Sequence, residues 1–368
     1  MGETVDEPRF ESWRDAETYA QDRLPAEVFD FIAGGAEDEV TLARNRQAFL
    51  RRALLPAVLR DVTKIDTRVS LWGCDLSTPV LVAPMGGQSM VHRGAEMATA
   101  AGAAAVGVGT IASTASSTPL EIEATANPAS WFQLYLFRDR AVTTDLIARA
   151  RQAGYRALVV TVDAPVLGLR RRDLRNRFRP GARIANLERY ALDSLPDAAD
   201  GGGLSQYFAT QMNPSLTFDD LATLVAQTDL PVVVKGVIRP ADAIRCLEAG
   251  AAGVYVSNHG GRQLDGGIAT LDALPGIVDA IAGRARIVID GGVRTASDVL
   301  LALALGADAV ALGRPILWAL ATGGQSGVEH LLHRLGEGIK VAMALVGARS
   351  VDELTTDSVQ SLTAHHDH

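Results

Sequence analysis

The chain has 368 residues, 48% of them hydrophobic, with 35 glycines and a formal net charge of -8. That length admits two average domains or one long parallel barrel, and the apolar content suffices for a large buried core. The acidic balance argues against nucleic acid or a membrane surface as a general partner, and Gly, Pro, Asp or Lys interrupts every apolar run before it could span a bilayer. The polar start, Met1 to Phe10, lacks an apolar secretory segment, so a soluble cytoplasmic protein is expected. Cys74 and Cys246 stand far apart in no metal-binding spacing, which reads as two reduced thiols and no metal site.

Residues 12–50 read as helices. Leu24-Pro25 opens one segment, Ala33-Gly34-Gly35 closes it, and Ala36-Glu37-Asp38 starts the next with acids in its first turn. From residue 79 short β-rich apolar runs alternate with helix-forming stretches. The runs are Val80–Ala83, Ala105–Gly109, Trp131–Tyr135, Ala157–Val162, Val232–Lys235, Gly253–Ser257, Arg286–Asp290 and Ala309–Gly313. Continuous apolar strands imply a parallel sheet covered on both faces, and eight such units imply a closed (β/α)8 TIM barrel over residues 79–345 within a single domain of 1–368. The competing open sheet would carry G-x-G-x-x-G after its first strand, where this chain has Ala83-Pro84-Met85-Gly86-Gly87-Gln88. Strand spacing is even except once: residues 163–231 form a long insertion, Arg-rich at its start and rich in Gly, Asp and Ser near 193–205, which reads as a lid.

Function in a barrel lies at the C-terminal strand ends. Gln133 and Tyr135 end the third strand, Thr161 and Asp163 the fourth, Lys235 the fifth, and Ser257 the sixth. The loop Ser257-Asn258-His259-Gly260-Gly261-Arg262 then delivers an imidazole and a guanidinium together, a base beside an anion clamp. After the seventh and eighth strands, Asp290-Gly291-Gly292-Val293-Arg294 and Gly313-Arg314-Pro315 read as a phosphate site, glycines for close backbone approach and arginines for charge.

These segments, with Val234-Lys235-Gly236-Val237, Phe132-Gln133-Leu134-Tyr135 and Thr161-Val162-Asp163, resemble the FMN-dependent 2-hydroxy acid oxidase and dehydrogenase family from about Leu24 to Leu354. The resemblance implies FMN as cofactor and a small 2-hydroxy acid as substrate. It implies that His259 is the base, that Asp163 orients it, that Arg262 and Arg170 hold the substrate carboxylate, and that Tyr135 bonds the substrate. For the flavin it implies Lys235 at the pyrimidine edge, with Gln133, Thr161, Ser113 and Ser257 around the ring. Pro84-Met85-Gly86 then passes beneath the ring, and Asp290, Gly291, Gly292, Arg294, Gly313 and Arg314 lie about the phosphate. A homo-oligomer, often a tetramer in such proteins, is also implied.

The chain departs from the family's pattern at three places. Phe31 stands where a tyrosine is common; small residues at Ser113-Thr114-Ala115 replace a tryptophan of plant glycolate oxidases; Gly86 replaces a frequent alanine. With Phe31, Thr114 and Leu167 lining it, the pocket is expected to be roomier and more apolar than one for glycolate, suited to a mandelate-like acid. Oxygen is the expected electron acceptor, making peroxide. A dehydrogenase or monooxygenase of the same family, a flavin-barrel isomerase, a non-catalytic flavin-binding protein and a barrel acting on sugar phosphates are the alternatives.

Overall fold

The computed structural model describes residues 10–191 and 210–362, so the stretch singled out near 193–205 lies outside the described residues. Three helices lead in: α1 (Trp13–Arg23), α2 (Ala26–Ala33) and α3 (Val40–Leu50). α1 starts where Ser12 and Asp15 cap each other, Asp15 N–H donating to Ser12 Oγ and Ser12 N–H to the Asp15 carboxylate, which satisfies donors that a helix start leaves open. The third helix begins at Val40, not at Ala36-Glu37-Asp38. Ala36 N–H donates instead to Gly261 O and Glu37 N–H to Leu169 O, both at 2.8 Å. Glu37 and Glu39 take left-handed φ angles of 42° and 63°. Tertiary hydrogen bonds thus hold this turn against the local helical preference.

Eight parallel strands close into a barrel in chain order: β1 (Val80–Val82), β2 (Gly109–Ser113), β3 (Ser130–Leu134), β4 (Leu158–Thr161), β5 (Val232–Val237), β6 (Gly253–Val256), β7 (Arg286–Ile289) and β8 (Ala309–Leu312). This is the expected TIM barrel. One strand is displaced: Ala105 is the last residue of helix α4 (Ala95–Ala105), and the second strand runs Gly109–Ser113 rather than Ala105–Gly109. Small apolar residues continue through that boundary without a polar break, and the helix ends at a left-handed Gly107, φ 69°. Nor is all of 163–231 an insertion. Phe218–Ala226 is the fourth repeat's own helix, begun by a Thr217/Asp220 capping box, so the added segment ends by residue 217.

Inside the barrel Leu81, Ile111, Trp131, Val159, Val233, Tyr255 and Val288 pack into one cluster with Leu71, Cys74 and Leu76. The last three belong to the hairpin Val69–Leu71 and Cys74–Leu76. Its tip carries Trp72, whose ring meets Trp131 at 5.0 Å and whose Nε1 donates to Ala252 O. A Cβ on Gly253 would stand 2.2 Å from the Trp72 ring, so the hairpin fits only over a glycine at the start of β6. Among the described residues, no helix is long and apolar enough to cross a membrane.

Two buried carboxyls, Glu96 and Glu123, pin the loop that follows β2. Glu96 accepts from the N–H groups of Gln88 and Ser117 and from Thr118 Oγ1, while Ser116 Oγ donates to Glu123 at 2.8 Å. Burial, reinforced by the charge of Glu96, pushes the Glu123 pKa up to about 8. A glutamate in the unfolded chain titrates near ~4.3. The raised value therefore contributes stability that is complete below that pH and lost as pH rises through the folded pKa. Glu123→Gln keeps the acceptor and removes the ionisation. Its Tm relative to wild type is expected to climb between about pH 4.5 and about pH 9, and a difference constant across melts in that range contradicts the assignment.

Candidate active site

All eight strand ends open onto one cavity of about 380 Å³ at the C-terminal mouth. At one end the chain turns through Gly291 and Gly292, whose φ angles are 91° and 93°. A Cβ on Gly292 would lie 2.5 Å from Asn45 O, so this turn can press on α3 only as glycine. Arg46 on α3 donates to Gly292 O and pairs with Asp298, locking the turn from behind.

Two guanidiniums flank this end. Arg314 donates to Ile32 O and Gly34 O, each at 2.9 Å, and to Gly260 O. Arg294 donates to Val293 O and lies over the Trp13 ring at 5.4 Å. Both cations thus rest on neutral carbonyls and an aromatic face. Burial pulls the Arg294 pKa down to about 9, helped by the charges of Arg314 and Arg46, and pulls Arg314 down to about 10. Two desolvated cations beside a glycine turn suit a phosphate dianion.

Midway along the cavity Lys235, only 4% exposed, donates to Ser257 Oγ at 2.9 Å and lies 3.6 Å from Asp290 Oδ2. Gln133 donates to Thr161 Oγ1 and accepts from Thr114 N–H and Ser113 Oγ. An ammonium and an amide at this depth suit the polar edge of an isoalloxazine ring. Among the described residues, the donors and acceptors along the cavity therefore fit FMN from phosphate to ring.

His259 adopts a left-handed φ of 57°. Its N–H donates to Ser257 Oγ at 3.1 Å, and the Asn258 side chain accepts from Gly261 N–H and exchanges hydrogen bonds with Asn45. The imidazole Nδ1 meets Asp163 Oδ1 at 2.9 Å, which leaves Nε2 as the nitrogen able to take a proton. Burial works to raise the Asp163 pKa, and the opposing charges of His259 and Lys235 outweigh it, holding the carboxyl below its ordinary value. Asp163 reaches this place because β5 bulges between Lys235 and Val237. A Cβ on Gly236 there, φ 108°, would be 2.5 Å from Asp163 Cβ.

Two further guanidiniums line the cavity, and one of them shares the Gly34 carbonyl with Arg314. Arg262 donates to Phe31 O at 2.6 Å and to Gly34 O, and Arg170 pairs with Asp173 at 3.0 Å. Both guanidiniums sit over the Phe31 ring, at 4.9 and 5.2 Å. Burial and the neighbouring charges of Arg170 and Arg314 drive the Arg262 pKa well down. Burial, with Asp163 adding to it, keeps the Tyr135 phenol far from ionising. The remainder of the arginine run is occupied elsewhere, Arg171 with Asp38 and Arg172 with Asp30 and Glu39.

Pro84, Met85, Gly86, Ser113, Gln133, Thr161, Lys235, Asp290, Arg294, Gly313, Arg314, Phe31, Tyr135, Leu167, Arg170, His259 and Arg262 all line the cavity. Three expected residues do not: Asp163 stands behind His259, on its Nδ1, and Thr114 and Ser257 are set back from the wall. Thr114 is fully buried, its hydroxyl donating to Gln133 O, so the adjacent Ala115 faces the cavity in its place. Ser257 is likewise fully buried and acts as an acceptor behind Lys235 and His259. Met90, Pro180, Ala182, Ile184 and Met212 line the cavity without having been singled out. They are ordinary apolar residues in stretches without periodicity, and nothing in their spacing marks them.

An anion end, a lysine at the middle and an imidazole–carboxylate pair beside two more arginines are what a barrel flavoenzyme needs to dehydrogenate an acid. Comparison with known proteins is specific. A family model described as FMN-dependent dehydrogenase matches residues 20–361. The chain is 47% identical over 347 residues to the L-lactate oxidase of Nostoc sp., covering 92% of this chain and 95% of that one. It is 43% identical over 346 residues to the glycolate oxidase of Spinacia oleracea, covering 93% and 94%. The solved structure of a mandelate oxidase with (S)-4-hydroxymandelic acid matches with a TM-score of 0.89 at 41% identity, covering 95% and 98%. The chain belongs to the FMN-dependent dehydrogenase family, as an FMN-dependent oxidoreductase acting on the CH–OH group of 2-hydroxy acids.

Replacing Arg314 by Leu is expected to weaken FMN binding by about tenfold to a hundredfold, the range for losing charge-assisted hydrogen bonds. Fluorescence titration of the apoprotein with FMN measures it, and unchanged affinity would remove Arg314 from the phosphate end.

Proposed function

We propose that the protein oxidises an L-2-hydroxy acid with a bulky, mandelate-like side chain to the 2-oxo acid, with oxygen as terminal acceptor and hydrogen peroxide as the second product. The observation that carries the substrate reading is the apolar part of the cavity wall. Phe31, Met90, Ala115, Leu167, Ala182, Ile184 and Met212 offer apolar surface there, which rewards an aromatic or branched side chain and gives glycolate nothing to fill. Homo-oligomerisation, tetrameric by resemblance, and a cytoplasmic location belong to the same reading.

Bound FMN supplies the two-electron acceptor. Arg294, Arg314 and the Gly291-Gly292 turn would hold its phosphate, and Lys235 with Gln133 its ring. Arg262 and Arg170 clamp the substrate carboxylate and so aim the carbinol carbon. His259 Nε2 takes a proton from the substrate, and Asp163, already ionised, stabilises the imidazolium that results. Tyr135, unable to ionise, donates its O–H to the substrate oxygen.

Under anaerobic mixing, mandelate and long-chain 2-hydroxy acids are expected to bleach the flavin with higher kcat/KM than lactate or glycolate; the reverse order sinks the substrate reading. Rapid recolouring on admitting air, with peroxide formed stoichiometrically, supports oxygen as acceptor, and sluggish recolouring counts against it. His259→Asn is expected to retain FMN and lose bleaching by about 100-fold or more. Near-normal bleaching in that variant would exclude His259 as the base.

A further inference from the structure

Tyr255 lies in the middle of β6, in a run that reads as ordinary apolar strand, and its ring is completely buried in the barrel interior. Two features separate it from the aliphatic residues around it. The Lys235 ammonium stands over its ring, 5.2 Å from the centroid. Its hydroxyl faces Asp290: burial, with the Asp290 carboxylate next, holds the phenol well above its ordinary pKa. Yet neither the Tyr255 hydroxyl nor Asp290 Oδ1 makes a hydrogen bond of ordinary geometry among the described residues, although both atoms are buried. Two facing orphans, one a donor and one an acceptor, are costly apart and cheap together. The other carboxylate oxygen, Oδ2, lies 3.6 Å from Lys235 Nζ. Tyrosine, aspartate and lysine thus form a chain that runs from the barrel core to the cavity.

We infer that Tyr255 is a positioning residue for the flavin edge: its hydroxyl donates to Asp290 Oδ1 and its ring underlies Lys235, and together these contacts fix where the ammonium stands. As packing alone, phenylalanine would fill the space as well. The hydroxyl adds a donor that meets the carboxylate's charge on the side away from lysine. Without it the ion pair of Asp290, among the described residues, is with the Lys235 ammonium, the Arg314 charge adding to the field around it. The ammonium is then drawn toward the carboxylate and its charge is more fully cancelled at the site where it stabilises electron-rich flavin. Tyr255 thereby raises the electron affinity of bound FMN from beneath the cavity, without lining it.

The test uses holoenzyme and two readouts that need no turnover: sulfite binding to the flavin, followed by bleaching, and the two-electron midpoint potential. Tyr255→Phe is expected to keep FMN and to weaken sulfite binding by about fivefold, the scale of one hydrogen bond. The potential should fall by the same factor, about 20 mV for a two-electron couple. Tyr255→Leu, which also removes the ring, is expected to shift both further in the same direction. Asp290→Asn is expected to move both the opposite way, because Lys235 loses its counter-charge. It decides the matter if the tyrosine variants fail to fold. Unmoved sulfite affinity and potential in Tyr255→Phe, or in Asp290→Asn, overturn the inference, as does a shift of the wrong sign; an effect confined to Tyr255→Leu reduces Tyr255 to core packing.

Discussion

Arg262 and Arg314, one expected at the substrate and one at the phosphate, both donate to Gly34 O, and between them they also take the carbonyls of Phe31 and Ile32. These carbonyls are the unsatisfied end of α2, where the helix dipole concentrates partial negative charge. Among the described residues neither guanidinium pairs with a carboxylate, and without these carbonyls both would be poorly solvated. The end of α2 stabilises them with half-charges, enough to hold them in place and too little to neutralise them. A full carboxylate in that position would occupy both anion sites. The helical preface is therefore part of the site, and the loops that meet it, at Gly261 and Leu169, are bent to suit.

The rest of the site follows from closing one end of the barrel tightly. Trp72 and Trp131 pack at the floor with Tyr255 in the same apolar cluster, and the charged side chains of the cavity gather at the upper mouth. There the bulge at Gly236 brings Asp163 against the sixth strand's loop, and Ser257 accepts from Lys235 and His259 at once. Lys235, proposed to hold the flavin, and His259, proposed to take the proton, thus share one anchor. A displacement of either is felt by the other.

The barrel and its polar rim were legible in the sequence because parallel strands are buried on both faces and read as unbroken apolar runs, each ending in a few polar residues. The displaced second strand shows the limit of that signal: between Ala103 and Val108 helix and strand are equally apolar, and a single glycine decides. Side-chain direction was less legible. Thr114 follows Ser113 in the chain, but its hydroxyl finds Gln133 O and turns the residue inward. Ser257 reads as a cavity residue because it ends a strand, and it is instead a buried acceptor. Tyr255 was hidden because one aromatic in a strand is normally core. Backbone partners were the least legible of all, since any residue has a carbonyl, and only the fold shows that those of Ile32 and Gly34 are the ones that matter.

The contacts between α2 and Arg314 join residues about 280 positions apart. They span most of the described chain, from the second helix to the second residue after the last barrel strand. In a protein made from its N-terminus, α2 emerges among the first elements and waits until the eighth strand is complete before its carbonyls meet their partner. The anion sites thus come into being only when the ring has closed, and partly made or truncated chains have no formed pocket in which to capture cofactor. Flavin uptake in this architecture reports a finished barrel.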